Sequence, residues 1–323
     1  MAAINGEQLA QFEEQGYLVV EGLFDPECDL DPVVAEYHEV LDRLATELYR
    51  DGRIESTYAD LPFGERLTKV CRASGQVHAQ YFDFSLPQNG VQDNTPFWAG
   101  PAVFAALRNE RLLDAVECFI GPEIYSNPVQ HVRLKPPEHL TPINPKTGRI
   151  QLGITPWHQD NGVVLEEADQ SDILTVWFPL ADVPVDNGCM EVLPGSHKQG
   201  LMHHCPGKWG LEVPEAVQDR ASAVSLPMKR GDVLFMTRLT CHSALPNKSD
   251  TVRWSFDLRY NPIGQPTGRG VFPGFVARSR KHPEAELHDA GQWNRLWHEA
   301  RASLAARENR PFNRWSADHP VCA

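Results

Sequence analysis

From Ile124 to Tyr260 the chain is cut into short extended segments separated by proline and glycine turns, and no other feature constrains its fold as much. Turn chemistry stands at Asn187-Gly188, Pro194-Gly195 and Arg230-Gly231-Asp232. Strands at this spacing form a sandwich or barrel, because a doubly wound sheet would need a helix after each strand. Successive side chains of a strand point to opposite faces. Val132 and Leu134 therefore oppose His131, Arg133 and Lys135, and Leu174, Val176, Phe178 and Leu180 oppose Ile173, Thr175 and Trp177. In the last strand Val252, Trp254, Phe256, Leu258 and Tyr260 oppose Arg253, Ser255, Asp257 and Arg259. A polar face this regular meets solvent or lines a polar cavity, and alternation does not distinguish the two.

Helices flank this region. Asn5 with Gln8 three residues on reads as a helix start, with Leu9 and Phe12 as its apolar stripe and Gly16 as its stop. Tyr17 to Phe24 reads as a strand, Asp31 to Arg50 as a helix, and Pro101 to Phe119 as another helix ended by Gly121-Pro122. Past Tyr260 come Arg269, Arg278, Arg280 and Lys281, then an amphipathic helix from about Pro283 to Arg307. With 323 residues and 41% hydrophobic content the chain reads as one domain. Helices and first strands (1–123) buttress a β core (124–260), and 261–323 form a C-terminal extension.

A net charge of -13 argues against a nucleic-acid or anionic-membrane partner. No apolar run approaches the roughly 18 residues that cross a bilayer, and Met1 to Asn5 lacks the pattern of a secretory signal, so a cytoplasmic protein is expected. No obligate protein partner is indicated. The seven cysteines are odd in number, scattered and never spaced C-x-x-C, so neither a disulfide framework nor a structural zinc site is expected.

The chemistry centres on Trp157-His158-Gln159-Asp160. In an extended segment His158 and Asp160 share one face and can grip one ion. Two histidines and one carboxylate on one face of a metal form the facial triad of non-haem iron oxygenases, so a second histidine is required. An H-x-D triplet alone is weak, since most surface His/Asp neighbours are solvated. His197, in the turn after Pro194-Gly195-Ser196, reads as structural. His203-His204 beside Cys205 reads as loop, because no second cysteine pair completes a tetrahedral site.

In order along the chain stand Gly16-Tyr17-Leu18-Val19-Val20, Leu134-Lys135-Pro136-Pro137, Trp157-His158-Gln159-Asp160, Asn187-Gly188-Cys189-Met190 and Leu193-Pro194-Gly195-Ser196-His197. Arg230-Gly231-Asp232-Val233-Leu234-Phe235, Cys241-His242, Pro246-Asn247-Lys248-Ser249 and Arg253 follow. This ordered set resembles the phytanoyl-CoA dioxygenase family of iron(II)/2-oxoglutarate oxygenases over roughly the first 260 residues. The resemblance implies a mainly β protein with flanking helices, whose core is a double-stranded β-helix (jelly-roll, cupin-like). It implies His158, Asp160 and His242 as iron ligands, with His242 on a facing sheet. It places the distal carboxylate of 2-oxoglutarate on Arg253, whose planar fork suits such pairing. Lys135, His131, Trp177 and Thr155 would line the cosubstrate pocket. The family often has a hydroxyl residue where this chain has Ala244, with Ser243 one position earlier.

The implied enzyme uses Fe(II), 2-oxoglutarate and O2 to hydroxylate an unactivated C–H bond of a small organic or acyl-type molecule, releasing succinate and CO2. Related halogenases leave the carboxylate position vacant, so Asp160 argues for oxygenation. The same scaffold can desaturate, epoxidise or cyclise. The rivals are a non-catalytic metal- or ligand-binding β-barrel and a hydrolytic zinc enzyme, the latter disfavoured for want of a general base near the triad. If Arg269, Arg278 and Arg280 face the barrel mouth, the substrate is anionic.

Overall fold

Asn5 accepts from the Gln8 amide while the Gln8 side chain accepts from the Asn5 N–H, and this capping box starts α1 (Gly6–Gln15). Gly16 ends it at φ 81°, where a Cβ would run into the His197 ring and the Thr240 hydroxyl. His197 Nε2 in turn lies 3.0 Å from the Glu13 carbonyl, so the histidine is a structural residue, as expected.

The computed structural model describes residues 4–151, 154–307 and 314–322. After β1 (Tyr17–Val20) the chain leaves its sheet four residues earlier than expected, at Glu21-Gly22, where the Gly22 N–H donates to Asp232. The helix α2 (Asp31–Arg50) has the expected bounds and buries Tyr37, Leu41, Leu44 and Leu48. Two helices not anticipated follow, α3 (Phe63–Ser74) and α4 (Ala79–Phe82). The single helix expected from Pro101 to Phe119 is two, α5 (Pro101–Leu107) and α6 (Glu110–Ile120). Asn109 breaks it, with ψ 126° and a side chain that caps α6 by accepting from the Leu112 N–H at 3.1 Å.

The remaining strands are β2 (Glu123–Lys135), β3 (Ile143–Asn144), β4 (Arg149–Ile150), β5 (Thr155–His158), β6 (Leu174–Pro179), β7 (Met190–Val192) and β8 (Cys205–Gly207). β9 (Gly210–Glu212), β10 (Val224–Leu226), β11 (Val233–Thr237), β12 (His242–Ala244), β13 (Arg253–Pro262) and β14 (Phe275–Ser279) complete them. A six-stranded antiparallel sheet runs β1-β11-β6-β13-β2-β14 and faces a four-stranded one, β10-β7-β12-β5. β3-β4 and β8-β9 are hairpins.

The alternation places both sides of the large sheet. Val132, Leu134, Val176, Phe178, Phe256 and Leu258 pack with the helices in one core. From the other side Trp177, Leu234 and Met236 pack with Met190, Val192 and Ala244 of the small sheet. The polar face of β13 therefore lies between the sheets and not in solvent: Arg253 is 1% exposed and Arg259 3%. This is the double-stranded β-helix expected from the motif order. β1 and β14, which lie outside 124–260, pair onto the two edges of the large sheet. In the C-terminal part the helix is α7 (Ala290–Ala305), capped by Asp289; Pro283–Ala285 forms a separate turn. Among the described residues no helix is long and apolar enough to cross a membrane.

One cysteine expectation fails. Cys205 and Cys322 form a disulfide across 117 residues, while Cys71, Cys189 and Cys241 are buried and free. Spacing along the chain carries no signal for a bond between a hairpin and the distant C-terminal segment.

Candidate active site

β12 and β5 are neighbours, and His242 pairs directly with His158 across them. The second histidine thus comes from the adjacent strand of the same sheet, not from a facing sheet. Gln159 keeps the chain extended, at φ -109° and ψ 140°, so Asp160 emerges on the side of His158 before the chain turns. The ligand atoms of His158, Asp160 and His242 all lie within 4.8 Å of one another. His158 Nδ1 is 2.8 Å from the Pro156 carbonyl, and His242 Nδ1 is 2.9 Å from that of Thr240. A carbonyl only accepts, so each Nδ1 carries the proton and each Nε2 presents its lone pair to the centre. Burial, reinforced by His242, draws the His158 pKa down to about 3 and keeps its ring neutral.

Asp160 is 1% exposed. Burial favours its neutral acid but is outweighed by Arg259, with His242 and His158, which hold the carboxyl far below its usual range. Arg259 donates to Oδ1 and the Thr175 hydroxyl to Oδ2. A carboxylate has about four lone-pair positions, so both bonds leave room for a metal. Two imidazole nitrogens and one anchored carboxylate are a donor set that suits a mononuclear iron(II) centre with open positions.

The residue between the ligands is itself fixed. The Gln159 side chain donates to Gly200 (2.9 Å) and Leu239 (2.7 Å) carbonyls and accepts from the Met202 N–H (2.7 Å). Its own N–H donates to His204 Nε2 at 2.9 Å. His204 is thus a buried prop of the ligand loop, a role that reading it as loop missed. Gln159 gave no sequence signal beyond its place in the motif. Arg259 and Thr175 did, since alternation put both on the polar faces of their strands.

Arg253 lies on the same face of β13, six residues before Arg259. Its Nε and Nη1 are buried without a hydrogen-bond partner among the described residues. Burial, then Arg133, draws its pKa down to about 9. Lys135 pairs with it in register across β2, and burial followed by Arg253 holds the lysine well below its ordinary value. Lys135 Nζ donates to Thr155 Oγ1 at 3.0 Å, and the Arg253 guanidinium sits 5.7 Å from the Trp177 ring centre. Among the described residues neither cation forms an ion pair. Asn247 holds the end of β2 by donating to the Lys135 carbonyl at 2.9 Å, which gives the Pro246-Asn247 motif a structural task.

Ala244 is buried, and the Ser243 hydroxyl turns instead to Glu191 at 3.4 Å. Thr155, the register partner of Ala244, places a hydroxyl beside Lys135. His131 lines the cavity with Lys135, but its Nδ1 is engaged by Asp83 at 2.7 Å and burial lowers its pKa.

A cavity of about 560 Å³ opens beside these groups, lined among others by His131, Lys135, Thr155, His158, Arg259 and Arg269. Of Arg269, Arg278 and Arg280, only Arg269 reaches it. Arg278 pairs with Glu110 (2.5 Å), Asp114 (2.7 Å) and Glu117 (3.1 Å) on α6, and Arg280 pairs with Glu117 (2.9 Å). β14 sits at the Ile124 end of β2, away from Lys135, so its arginines meet one acidic face of α6 and not the barrel mouth.

The family profile described as phytanoyl-CoA dioxygenase (PhyH) matches residues 12–255. Human peroxisomal phytanoyl-CoA dioxygenase is 29% identical over 268 residues, spanning 79% of this chain and 67% of its own. A phytanoyl-CoA dioxygenase domain-containing protein 1 homologue of Dictyostelium discoideum is 25% identical over 270 residues, spanning 79% and 90%. Among solved structures, the non-heme monooxygenase ThoJ superposes with a TM-score of 0.54 at 19% identity, covering 92% of this chain and 96% of its own. The epimerase SnoN, in complex with Fe3+, α-ketoglutarate and nogalamycin RO, gives 0.50 at 21%, covering 81% and 86%. At such identities the structures speak for a shared fold. The profile takes in β1, both histidines, Asp160 and Arg253 in one unbroken match across most of the sequence, and by it the chain belongs to the phytanoyl-CoA dioxygenase family.

Proposed function

We propose that the protein is a single-domain iron(II), 2-oxoglutarate-dependent dioxygenase that hydroxylates an unactivated C–H bond of a small organic or acyl-type molecule. Membership of the family makes it a dioxygenase, an oxidoreductase. The observation that carries the iron assignment is the convergence of two Nε2 lone pairs and one ion-paired carboxylate within 4.8 Å. His158, Asp160 and His242 hold the metal. When bound, iron(II) supplies the O2 activation that couples decarboxylation of 2-oxoglutarate to oxidation of the substrate.

The chain's own residues do the rest. Arg253 and Lys135, buried basic groups that form no ion pair among the described residues, take the distal carboxylate of 2-oxoglutarate, since a desolvated charge is stabilised by a partner of opposite sign. Thr155 orients Lys135 and supplies the hydroxyl that Ala244 lacks. Trp177 supports the guanidinium, and His131 walls the cavity. Arg133 and Arg269 give that cavity positive charge, which favours an anionic substrate such as a carboxylate or acyl-CoA. We place the enzyme in the cytosol, acting on a small molecule without a nucleic-acid or membrane partner.

Neighbours of this fold include an epimerase and a carbocyclase, SnoN and SnoK, so the outcome of oxidation is read from the product. The test is succinate and CO2 release by iron-loaded protein with 2-oxoglutarate and ascorbate, over a panel of acids and acyl-CoAs, with product masses recorded. A gain of one oxygen supports hydroxylation, and a loss of two hydrogens would replace it with desaturation or cyclisation. No keto-acid consumption by protein shown to hold iron would turn the assignment to a non-catalytic binding protein.

A further inference from the structure

Residues 314–322 lie across the loop that follows β5. Arg314 pairs with Asp169 at 2.6 Å, and the Trp315 indole donates to the Gly162 carbonyl at 2.6 Å. The Trp315 ring stacks on His204, with centroids 5.3 Å apart and planes at 24°. At the end of the segment Cys322 is bonded to Cys205, the first residue of β8, and His319 stacks on His203 at 3.9 Å.

His204 joins this segment to the ligand loop. Its Nδ1 donates to the Met202 carbonyl at 2.9 Å, and its Nε2 accepts from Gln159, which stands between the two ligands. A Cβ on Gly162 would come within 2.0 Å of the His204 ring, so the ring rests directly on the backbone two residues past Asp160. Residues 316–320, by contrast, are exposed. A segment that buries so little opens locally at small cost unless a covalent bond holds it.

We propose that Cys205–Cys322 is a reversible thiol–disulfide site whose oxidised form latches residues 314–322 over the His204–Gly162 contact and stiffens the loop carrying Asp160. The half-buried Cys322 sulfur is the one open to attack, since Cys205 is 7% exposed. A dithiol attacks it as a thiolate, the S–S bond breaks, and Cys205 leaves as a thiolate that takes up the proton the dithiol released. The second thiol of the reductant then resolves the mixed disulfide. Two electrons and two protons pass to the chain, and the reductant departs as its own disulfide. A disulfide oxidant reverses the exchange. In a reducing compartment the disulfides that occur are commonly transient and catalytic or redox-sensing.

The test uses the full chain without iron, so its failure is separate from failure of the iron assignment. Alkylation after non-reducing denaturation should count five thiols, rising to seven after a dithiol. Amide exchange over residues 159–169 should quicken about tenfold on reduction of the native protein. Cys322→Ser should show the fast rate with or without reductant. Trp315→Ala, with its disulfide intact, should show it too, because the cover is gone while the bond remains. Seven thiols both before reduction and after exposure to a disulfide oxidant, unchanged exchange on reduction of the oxidised protein, a Cys322→Ser protein that still responds to reductant, or unchanged exchange in Trp315→Ala would each overturn the proposal.

Discussion

Two arginines on one face of β13, six residues apart and equally buried, are in opposite electrostatic states. Burial alone lowers the pKa of either. At Arg259 that tendency is outweighed by Asp160, and the guanidinium is held above its ordinary value. At Arg253 nothing outweighs it, Arg133 adds to it, and the pKa falls to about 9. The barrel thus neutralises one end of its polar face with its own carboxylate and leaves the other end for an anion from outside. A single strand sets the metal end beside the keto-acid end.

The largest effect comes from breaking the satisfied end. Asp160→Ala removes a metal ligand and leaves the buried Arg259 with only the more distant Asp257, at 3.7 Å. Turnover should fall by more than about 1,000-fold, and metal-free stability by about 3–5 kcal/mol, as for a buried pair that loses one partner. Urea denaturation and succinate release measure the two. Adding Arg259→Met should restore most of the stability and none of the turnover; an Asp160→Ala protein as stable as wild type would refute the account of the pair.

Arg253→Ala is the mirror case. It removes a charge that has no partner until the keto acid arrives, so metal-free stability should change by less than about 1 kcal/mol, against the 3–5 kcal/mol at Asp160. The KM for 2-oxoglutarate should rise about 10- to 150-fold, the worth of a charge-assisted bond of about 1.5–3 kcal/mol. Iron affinity should hold, and Arg253→Lys should recover part. If iron and keto-acid affinity fall together, Arg253 is a structural residue.

This contrast explains what was legible in the sequence. Period-two alternation placed Arg253 and Arg259 on one face, because a strand's geometry is local, and motif order supplied the barrel that made this face a lumen. Alternation could not say which arginine had a partner, since Asp160 and Arg259 lie 99 residues apart and meet only through the pairing of strands. The same limit hid Cys205–Cys322 and the fall of Arg278 onto α6 in place of the barrel mouth. Glu110, Asp114 and Glu117 at helical spacing were a visible acidic stripe, but only the edge position of β14 assigns arginines to it. The split of 101–119 into two helices turned on one Asn that serves equally as a helix surface residue or a cap.

A smaller change sharpens the Arg253 end. Thr155→Val keeps the shape of the residue and deletes the acceptor of Lys135 Nζ, leaving the lysine free to swing from its present position. Loss of one such bond is worth about 1 kcal/mol, so the KM for 2-oxoglutarate should rise about fivefold with iron binding unaltered. An unchanged KM would show that Lys135 is positioned by burial alone.

The smallest effect is a pH dependence that the two arginines should not share. Arg253 in the free protein has its pKa drawn down to about 9, and a bound carboxylate draws it back up. Keto-acid affinity from this pair is therefore complete below the free-state value and declines as pH rises through it. By linkage, the Arg253 contribution to binding should weaken only about twofold between pH 8 and pH 9, with proton uptake near pH 9. Calorimetry in buffers of different ionisation enthalpy reads that proton directly. Arg259, held high by Asp160, adds no inflection in this range. In Arg253→Ala any uptake that persists belongs to Lys135, whose value burial and Arg253 also lower. An uptake identical to wild type would mean that Lys135, and not Arg253, is the cation that the keto acid recharges.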